Sequence, residues 1–393
     1  MGGPLEGVRI VELGTMIAVP AATQLLSAQG AHVLKVEDTT VGDPLRFYGS
    51  KKNGMSGWFA VVNAGKRSIG VHLGDEAGKA VLWRLIAAAD VFIQGFRPGV
   101  IDRLGFPAAL VRERHPGLIY VSSSGFGLDG PYANRPTFDP LIQATAGWAG
   151  AQTVDGVPTL IKGFVADKVA ALTTAQAITA ALVARGVSGE GQHLEASMFE
   201  ANVAFNWPDV MMHATLLDDD ASHEPNVLRS YQLFPSRDGW VSVTAGTDGQ
   251  WQAVCGALDR PELAHDQRFI DAASRSADFE GWYRVFGEMC SAFTSAELLA
   301  RCAQADVPAA AVLDPAEVAT HDQVAARDAV PVIEHPVVGR MRMPRQGVRF
   351  AGAPAPGDLS AAPSHGEHSG AVLAELGFDI AEVDELRERG VIV

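Results

Sequence analysis

The stretch VRIVELGTMIAVPAATQLLSAQGAHVLKVE, residues 8–37, decides the fold class. Val8 to Leu13 is a short apolar run. Pro20 to Gln29 has helix length with Pro at its start and Gly30 as its stop, and His32 to Glu37 is a second strand-like run. The alternation continues outward. Ser68 to Leu73 predicts a third strand, Asp75 precedes a helical pattern to Ala89, and Val91 to Phe96 is strand-like. A short helix near Pro107 to Glu113 then leads into a strand at Leu118 to Ser123. Strands and helices alternating at this spacing predict right-handed βαβ units and a mostly parallel sheet. Ligands of such sheets bind beyond the carboxyl ends of the strands, here Gly14–Ile17, Asp38, Gly95–Arg97 and Ser122–Phe126. The first turn, Leu13 to Pro20, holds one glycine and no GxGxxG, which disfavours a nicotinamide dinucleotide.

Further along, Phe164 to Ala184 predicts a long helix, Arg185 to Gln192 a glycine-rich turn and His193 to Ser197 a strand. The character changes near Ser222. Tyr231 to Thr244 reads as two strands around a turn at Arg237–Gly239, followed by helices at Gln250–Leu258, Phe279–Phe293 and Ser295–Ala305. These form a smaller α+β unit bounded near Val312. The Pro/Gly/Ala-rich Ala351 to Pro363 reads as a surface linker, and Glu367 to Leu376 as a helix with more helix after it.

A chain of 393 residues is long enough for about two domains. Its 47% apolar and 20% charged residues are those of a soluble globular protein. The net charge of −15 argues against nucleic acid as a partner. Residues 1–105 hold 11 Lys/Arg and 9 Asp/Glu, so an anionic ligand is better met there than by the acidic remainder. Cys255, Cys290 and Cys302 lack metal-type spacing and read as free thiols of a reducing cytoplasm. His365 and His368 have no further ligands at suitable spacing, so no metal site is expected. The N-terminus carries no basic-then-apolar signal segment. The apolar stretch Ala170 to Ala184 is shorter than the roughly 20 residues of a membrane span and reads as a buried helix.

Two aspartates stand at helix starts. Asp167 opens the long apolar helix, where an N-cap is the simplest role. The helix dipole also keeps a carboxylate ionised there, and an ionised carboxylate needs no base to act as a nucleophile. With a reference pKa of about 3.9, it is expected to be charged at pH 7. Asp139, in Phe138-Asp139-Pro140-Leu141, precedes a second helical stretch and again suits a cap. Gly246-Thr247-Asp248-Gly249-Gln250 joins a strand to a helix; it suits a turn as well as a set of N–H donors for an oxyanion. There is no GxSxG elbow.

The order of short motifs is more specific than any one of them. Leu5-Glu6-Gly7-Val8-Arg9-Ile10-Val11-Glu12-Leu13 is followed by Gly30 to Glu37 with Gly42-Asp43 and Arg46, then Asn63 and Gly65-Lys66-Arg67-Ser68. Ala89-Asp90-Val91, Phe96-Arg97-Pro98-Gly99, Gly125-Phe126-Gly127, Gly130-Pro131, Phe138-Asp139 and Gly189-Glu190-Gly191-Gln192 come next. Val307-Pro308-Ala309, Ala325, Arg327, His335-Pro336 and Gly366-Glu367-His368 complete the series. In this order the chain resembles the family III (CaiB/BaiF) coenzyme A transferases from end to end.

The resemblance implies an α/β fold with a Rossmann-like large domain, a smaller α+β domain and an interlocked homodimer. The expected division is a large domain at 1–200, a linker at 201–222, the small domain at 223–312, a second linker at 313–345, and a return to the large domain at 346–393. It also implies that CoA moves from an acyl-CoA donor to a small carboxylic acid, with CoA as substrate and no metal. Asp167 matches the aspartate that forms a mixed anhydride and then an aspartyl-CoA thioester. Asp139 matches a residue close to the thioester, and Gly246 and Gly249 match a mobile loop over the aspartate. Ile17, Ala18, Val71, Leu73, Gly95, Phe96, Arg97 and Arg103 match CoA contacts. Val19 stands where the family usually has glycine, Asp38 where some members have arginine, and Gly95 where asparagine is common.

Two rival readings follow from the same resemblance: an α-methylacyl-CoA racemase, and an acyl-CoA binding protein without catalysis. The racemase base is a histidine just before the aspartate that matches Asp139, and Phe138 stands there instead. Trp148, Phe164, Trp207 and Met211 suit either an apolar acyl pocket or plain core.

Overall fold

The computed structural model describes residues 3–222, 227–350 and 359–393. Two compact units emerge: Met1–Thr215 together with Asp328–Val393, and Leu216–Arg327. Position 223, where a small domain was expected to begin, and residues 351–358 of the expected linker lie outside the described residues.

The first unit is built on six parallel strands: β1 (Arg9–Leu13), β2 (His32–Glu37), β3 (Lys66–Gly70), β4 (Val91–Gln94), β5 (Ile119–Ser124) and β6 (His193–Ser197). Their order across the sheet is β6-β5-β4-β1-β2-β3. The chain works outward from β1 to β3 on one side, then returns to β4 on the other side of β1. A crevice therefore opens beyond the carboxyl ends of β1 and β4, where the order reverses.

Both faces of the sheet are covered, as the continuous apolar runs require. On one face α1 (Ala18–Ser27) and α4 (Val165–Ser188) pack Ala22, Leu26, Ala171, Ala175 and Ile178 against Ile10, Val33, Val91 and Ile119. On the other, α2 (Glu76–Ala87) and two C-terminal helices bring Val81, Leu82, Ile86, Leu373 and Leu386 against Val11, Leu13, Ile69 and Phe92. Each large side chain so buried stabilises the fold by about 1.5–3 kcal/mol. Two further helices complete the site: α3 (Asp139–Thr145) and α5 (Met198–Asn206).

Element boundaries differ locally from expectation. The third strand begins and ends earlier, at Lys66–Gly70 rather than Ser68–Leu73. β4 stops at Gln94 because its own Oε1 accepts the Phe96 N–H at 2.9 Å and turns the chain out of the sheet. The expected turn from Arg185 is helical as far as Ser188; Gly189 at φ 76 is the left-handed residue that stops it. With 24 residues, α4 exceeds the apolar stretch read from sequence and is long and apolar enough to cross a membrane by length and composition. One face of it packs on the sheet and α1, while Leu172, Val183 and Val187 are exposed on the other.

In the second unit, Phe234–Pro235, Trp240–Val243 and Ala309–Ala311 form an antiparallel sheet in that order. Helices Asp248–Ala257, Phe279–Ser291 and Ser295–Gln304 pack Trp251, Phe286 and the three cysteines into one core. The cysteines are free and buried. The third strand was not anticipated, since three alanines carry no strand preference.

Candidate active site

Asp167 is the third residue of α4, not its N-cap; that place is held by Phe164, which offers no side-chain acceptor. The missing acceptor comes from α3. Asp139 Oδ2 accepts the Asp167 backbone N–H at 3.0 Å, satisfying one of the free donors at the helix start. Asp139 Oδ1 accepts from Gln143 Nε2 at 2.6 Å, one turn along the same helix. Gln143 also donates to the carbonyls of Ile161 and Gly163, each at 3.1 Å, and accepts from the Ile161 N–H at 2.9 Å. The loop entering α4 is thereby tied to α3, and the two aspartates are set side by side.

Asp139 is buried and Asp167 is half-buried. Burial first, and the Asp139 charge second, push the Asp167 carboxyl up to about 7. Full ionisation at pH 7, expected from the helix-terminal position, does not hold. The dipole at the end of α4 is outweighed by lost hydration and a neighbouring carboxylate.

Both aspartates open into a cavity of about 300 Å³ that is also lined by Phe138, Phe164, Arg97 and Arg135. Of the expected CoA contacts, Ile17, Ala18, Gly95, Phe96 and Arg97 line it too. A second cavity of about 280 Å³ is lined by Val71, Leu73 and Asp38, and it shares Thr15, Gly95 and Phe96 with the first. The two lie over the crevice between β1 and β4. Arg103 lines neither; it is exposed at the end of the short helix Val100–Arg103, next to Leu104 of the second cavity.

Gly246 and Gly249 lie in the second unit, on either side of Thr247 and Asp248. Thr247 and Gln250 form a reciprocal capping box at the start of helix Asp248–Ala257, which gives this loop a structural role of its own. Of the four apolar residues suited to an acyl pocket, Phe164 lines the Asp167 cavity. Trp148 donates to Asn202 instead, and the Met211 methyl packs toward Gly147.

Val19 and Gly95 are one packing adjustment. A Cβ added at Gly95 would lie 3.2 Å from Val19 Cγ2, and one at Gly14 would lie 2.4 Å from Val19 Cγ1. The valine takes the space that a side chain on the facing strand end would need. Phe138 is 64% exposed beside Asp139 and offers no titratable group there.

Two contributors, Gln143 and Arg135, escaped the sequence reading as site residues, while Met16 lay within the strand-end segment Gly14–Ile17 without being singled out. Gln143 had a usable signal, its i,i+4 spacing from Asp139 on one helix face. Arg135 had none, because it reaches the cavity from a loop.

The model of CoA-transferase family III matches residues 5–369, nearly the whole chain. The chain belongs to CoA-transferase family III. Acetyl-CoA:oxalate CoA-transferase of Acetobacter aceti is 32% identical over 95% of this chain and 96% of its own. The beta subunit of succinyl-CoA–L-malate CoA-transferase of Chloroflexus aurantiacus is 31% identical over 99% of this chain and 98% of its own. The crystal structure of a CAIB/BAIF family protein from Brucella suis superposes with a TM-score of 0.81 at 32% identity, covering 96% of this chain and 100% of that one. As a family III CoA-transferase the protein is an enzyme, and its parallel six-stranded sheet is part of the α/β architecture it shares with that structure.

Proposed function

We propose that this CoA-transferase moves CoA between small carboxylic acids with Asp167 as the nucleophile. The carrying observation is a carboxyl of raised basicity, set beside Asp139 in a cavity at the switch point of a parallel sheet. A poorly hydrated carboxylate is a stronger nucleophile than a solvated one, and a partly closed cavity protects an anhydride from water.

In this reading Asp167 attacks the thioester carbonyl of the donor, expelling CoA thiolate and leaving a mixed anhydride. The thiolate attacks the aspartyl carbonyl, releases the donor acid and forms an aspartyl-CoA thioester. The acceptor carboxylate attacks that carbonyl and again expels thiolate. Thiolate attack on the acceptor carbonyl of the new anhydride yields acceptor-CoA and frees Asp167. Asp139 holds the Asp167 backbone and keeps the carboxyl basic. Gly246 and Gly249 enter only through the resemblance, as backbone donors to the tetrahedral oxyanions.

The Rossmann-like reading of the large domain is supported by the 3-2-1-4-5-6 strand order. The free N–H groups at the start of α1, with Ile17, Ala18 and Arg97 on the cavity wall, suit the CoA pyrophosphate. Relatives named for oxalate, L-malate and glutarate support small acids as substrates. The exposed stripe Leu172, Val183 and Val187 on α4, together with a first unit that the chain leaves and re-enters, supports the interlocked homodimer.

The test is to incubate the enzyme with acetyl-, oxalyl- and succinyl-CoA, treat with hydroxylamine or borohydride, and map modified peptides by mass spectrometry. A mark on Asp167 is expected. No adduct at any residue, together with α-proton exchange in deuterated water, would replace this reading by the racemase.

A further inference from the structure

The β1–α1 turn contributes to both cavities, and in it Met16 stands at φ 64, a left-handed backbone that side-chain-bearing residues adopt at a cost. Two polar groups grip this turn from outside. Asp43 Oδ1 accepts the Met16 N–H at 3.0 Å, and Lys35 Nζ donates to the Gly14 carbonyl at 2.7 Å. Both side chains are fully buried and pair with each other at 2.9 Å. Lys35 pairs in addition with Glu12 at 2.8 Å, and Glu12 with Lys66 at 2.7 Å. Buried ion clusters are often no more stabilising than apolar packing of the same volume, which directs attention to the geometry this one imposes. Through Lys35 and Asp43 that geometry reaches Gly14 and Met16, while Lys66 donates to the Pro20 carbonyl in α1 at 2.8 Å.

We infer that Asp43 is a positioning residue for CoA-ester binding: anchored by Lys35, it locks Met16 into the left-handed turn that walls the cavities. This rests on the reading that the cavities take a CoA ester. Glycine adopts the same backbone without strain, so the need for Asp43 should vanish when Met16 is replaced by glycine.

The experiment is a double-mutant cycle read by calorimetric titration with CoA, together with hydrogen exchange of the segment 12–19. Asp43→Ala is expected to weaken CoA binding about tenfold and to speed exchange of the Met16 amide. In the Met16→Gly background the same change should cost no more than about twofold. A purely structural role, through the Asp43 bond to the Leu45 N–H, predicts equal losses in both backgrounds and would overturn the inference. Should Asp43→Ala not fold, Met16→Val decides, since it keeps every buried charge. Its β-branched side chain resists the left-handed turn, so it should bind CoA more weakly than Met16→Gly, and equal binding overturns the inference. If the wild-type protein binds no CoA, the functional reading falls, and unchanged exchange at Met16 in Asp43→Ala would refute the turn's dependence on Asp43 separately.

Discussion

Glu12 and Asp43 are as deeply buried as Asp139, yet each faces the Lys35 ammonium, at 2.8 and 2.9 Å. The hydrogen-bond partners of Asp139 are instead a backbone N–H and an amide, and its neighbour is a second carboxyl. Burial alone would raise Glu12, but Lys35 and Lys66 hold it below the usual carboxylate range. Asp167, with a like charge beside it, moves the other way, up to about 7. The same desolvation thus serves two ends. Matched with cations it makes fixed scaffolding under the turns; matched with another acid it keeps a carboxyl basic at the mouth of a cavity.

The largest effect should come from breaking the reactive half of this contrast. Asp167→Asn keeps the shape and removes the nucleophile, so transfer between acyl-CoA and a free acid should fall by at least about 10³-fold in steady-state assays. Near-normal turnover would move the nucleophile elsewhere.

Breaking the scaffolding half should leave chemistry aside and strike stability. Glu12→Gln strands Lys66 without a carboxylate and should cost about 3–5 kcal/mol in urea unfolding. Burial already holds Lys66 down to about 8 even beside Glu12, so the cost should shrink when unfolding is measured above that pH. A cost independent of pH would contradict the assignment of the buried charge.

A third expectation sharpens the comparison by sign. The folded pKa of Asp167 lies above its unfolded value of 3.8, so the folded state holds the extra proton between about 3.8 and 7. That contribution is complete below 3.8 and is lost as pH rises through 7. Asp167→Asn escapes the loss, so its Tm should gain on the wild type between pH 5 and pH 8. A gain that shrinks with pH would mean that a cation pairs with Asp167.

The smallest effect concerns Val19 and Gly95. Gly95→Ala places a Cβ against Val19 and should cost about 1 kcal/mol. Combined with Val19→Ala, the loss should be smaller than the two single changes summed. Strict additivity would separate the two positions.

The local code of this chain is short-range and strong, which is why much of it is legible. Stretches read as strands at 8–13, 32–37, 91–96 and 118–123, with Gly30 as a stop between the first two, specify an alternation that leaves a parallel sheet as the economical packing, although the first helix runs Ala18–Ser27 with Pro20 as its third residue and not its first. His193–Ser197 appears with the boundaries read from sequence. The ordered motifs were enough to indicate the family, which the family model and the relatives then showed. What the motifs could not reveal is why they are there. Glu12, Lys35, Asp43, Asn63 and Lys66 are scattered over 55 positions and look like surface polar and charged residues. Folding gathers them into one buried cluster, because Lys35 and Lys66 point into the same space as Glu12. Asp167 carries the same distinction. Its place near a helix start follows from residues close in sequence, and so was visible. Its raised pKa depends on Asp139, 28 positions away, and on the water that the surrounding walls displace. Sequence by itself determined the elements, since hydrogen-bond periodicity and chain stiffness act over a few residues. The protonation state of the candidate nucleophile was decided only by tertiary structure, because electrostatics depends on distance through space and on exclusion of solvent.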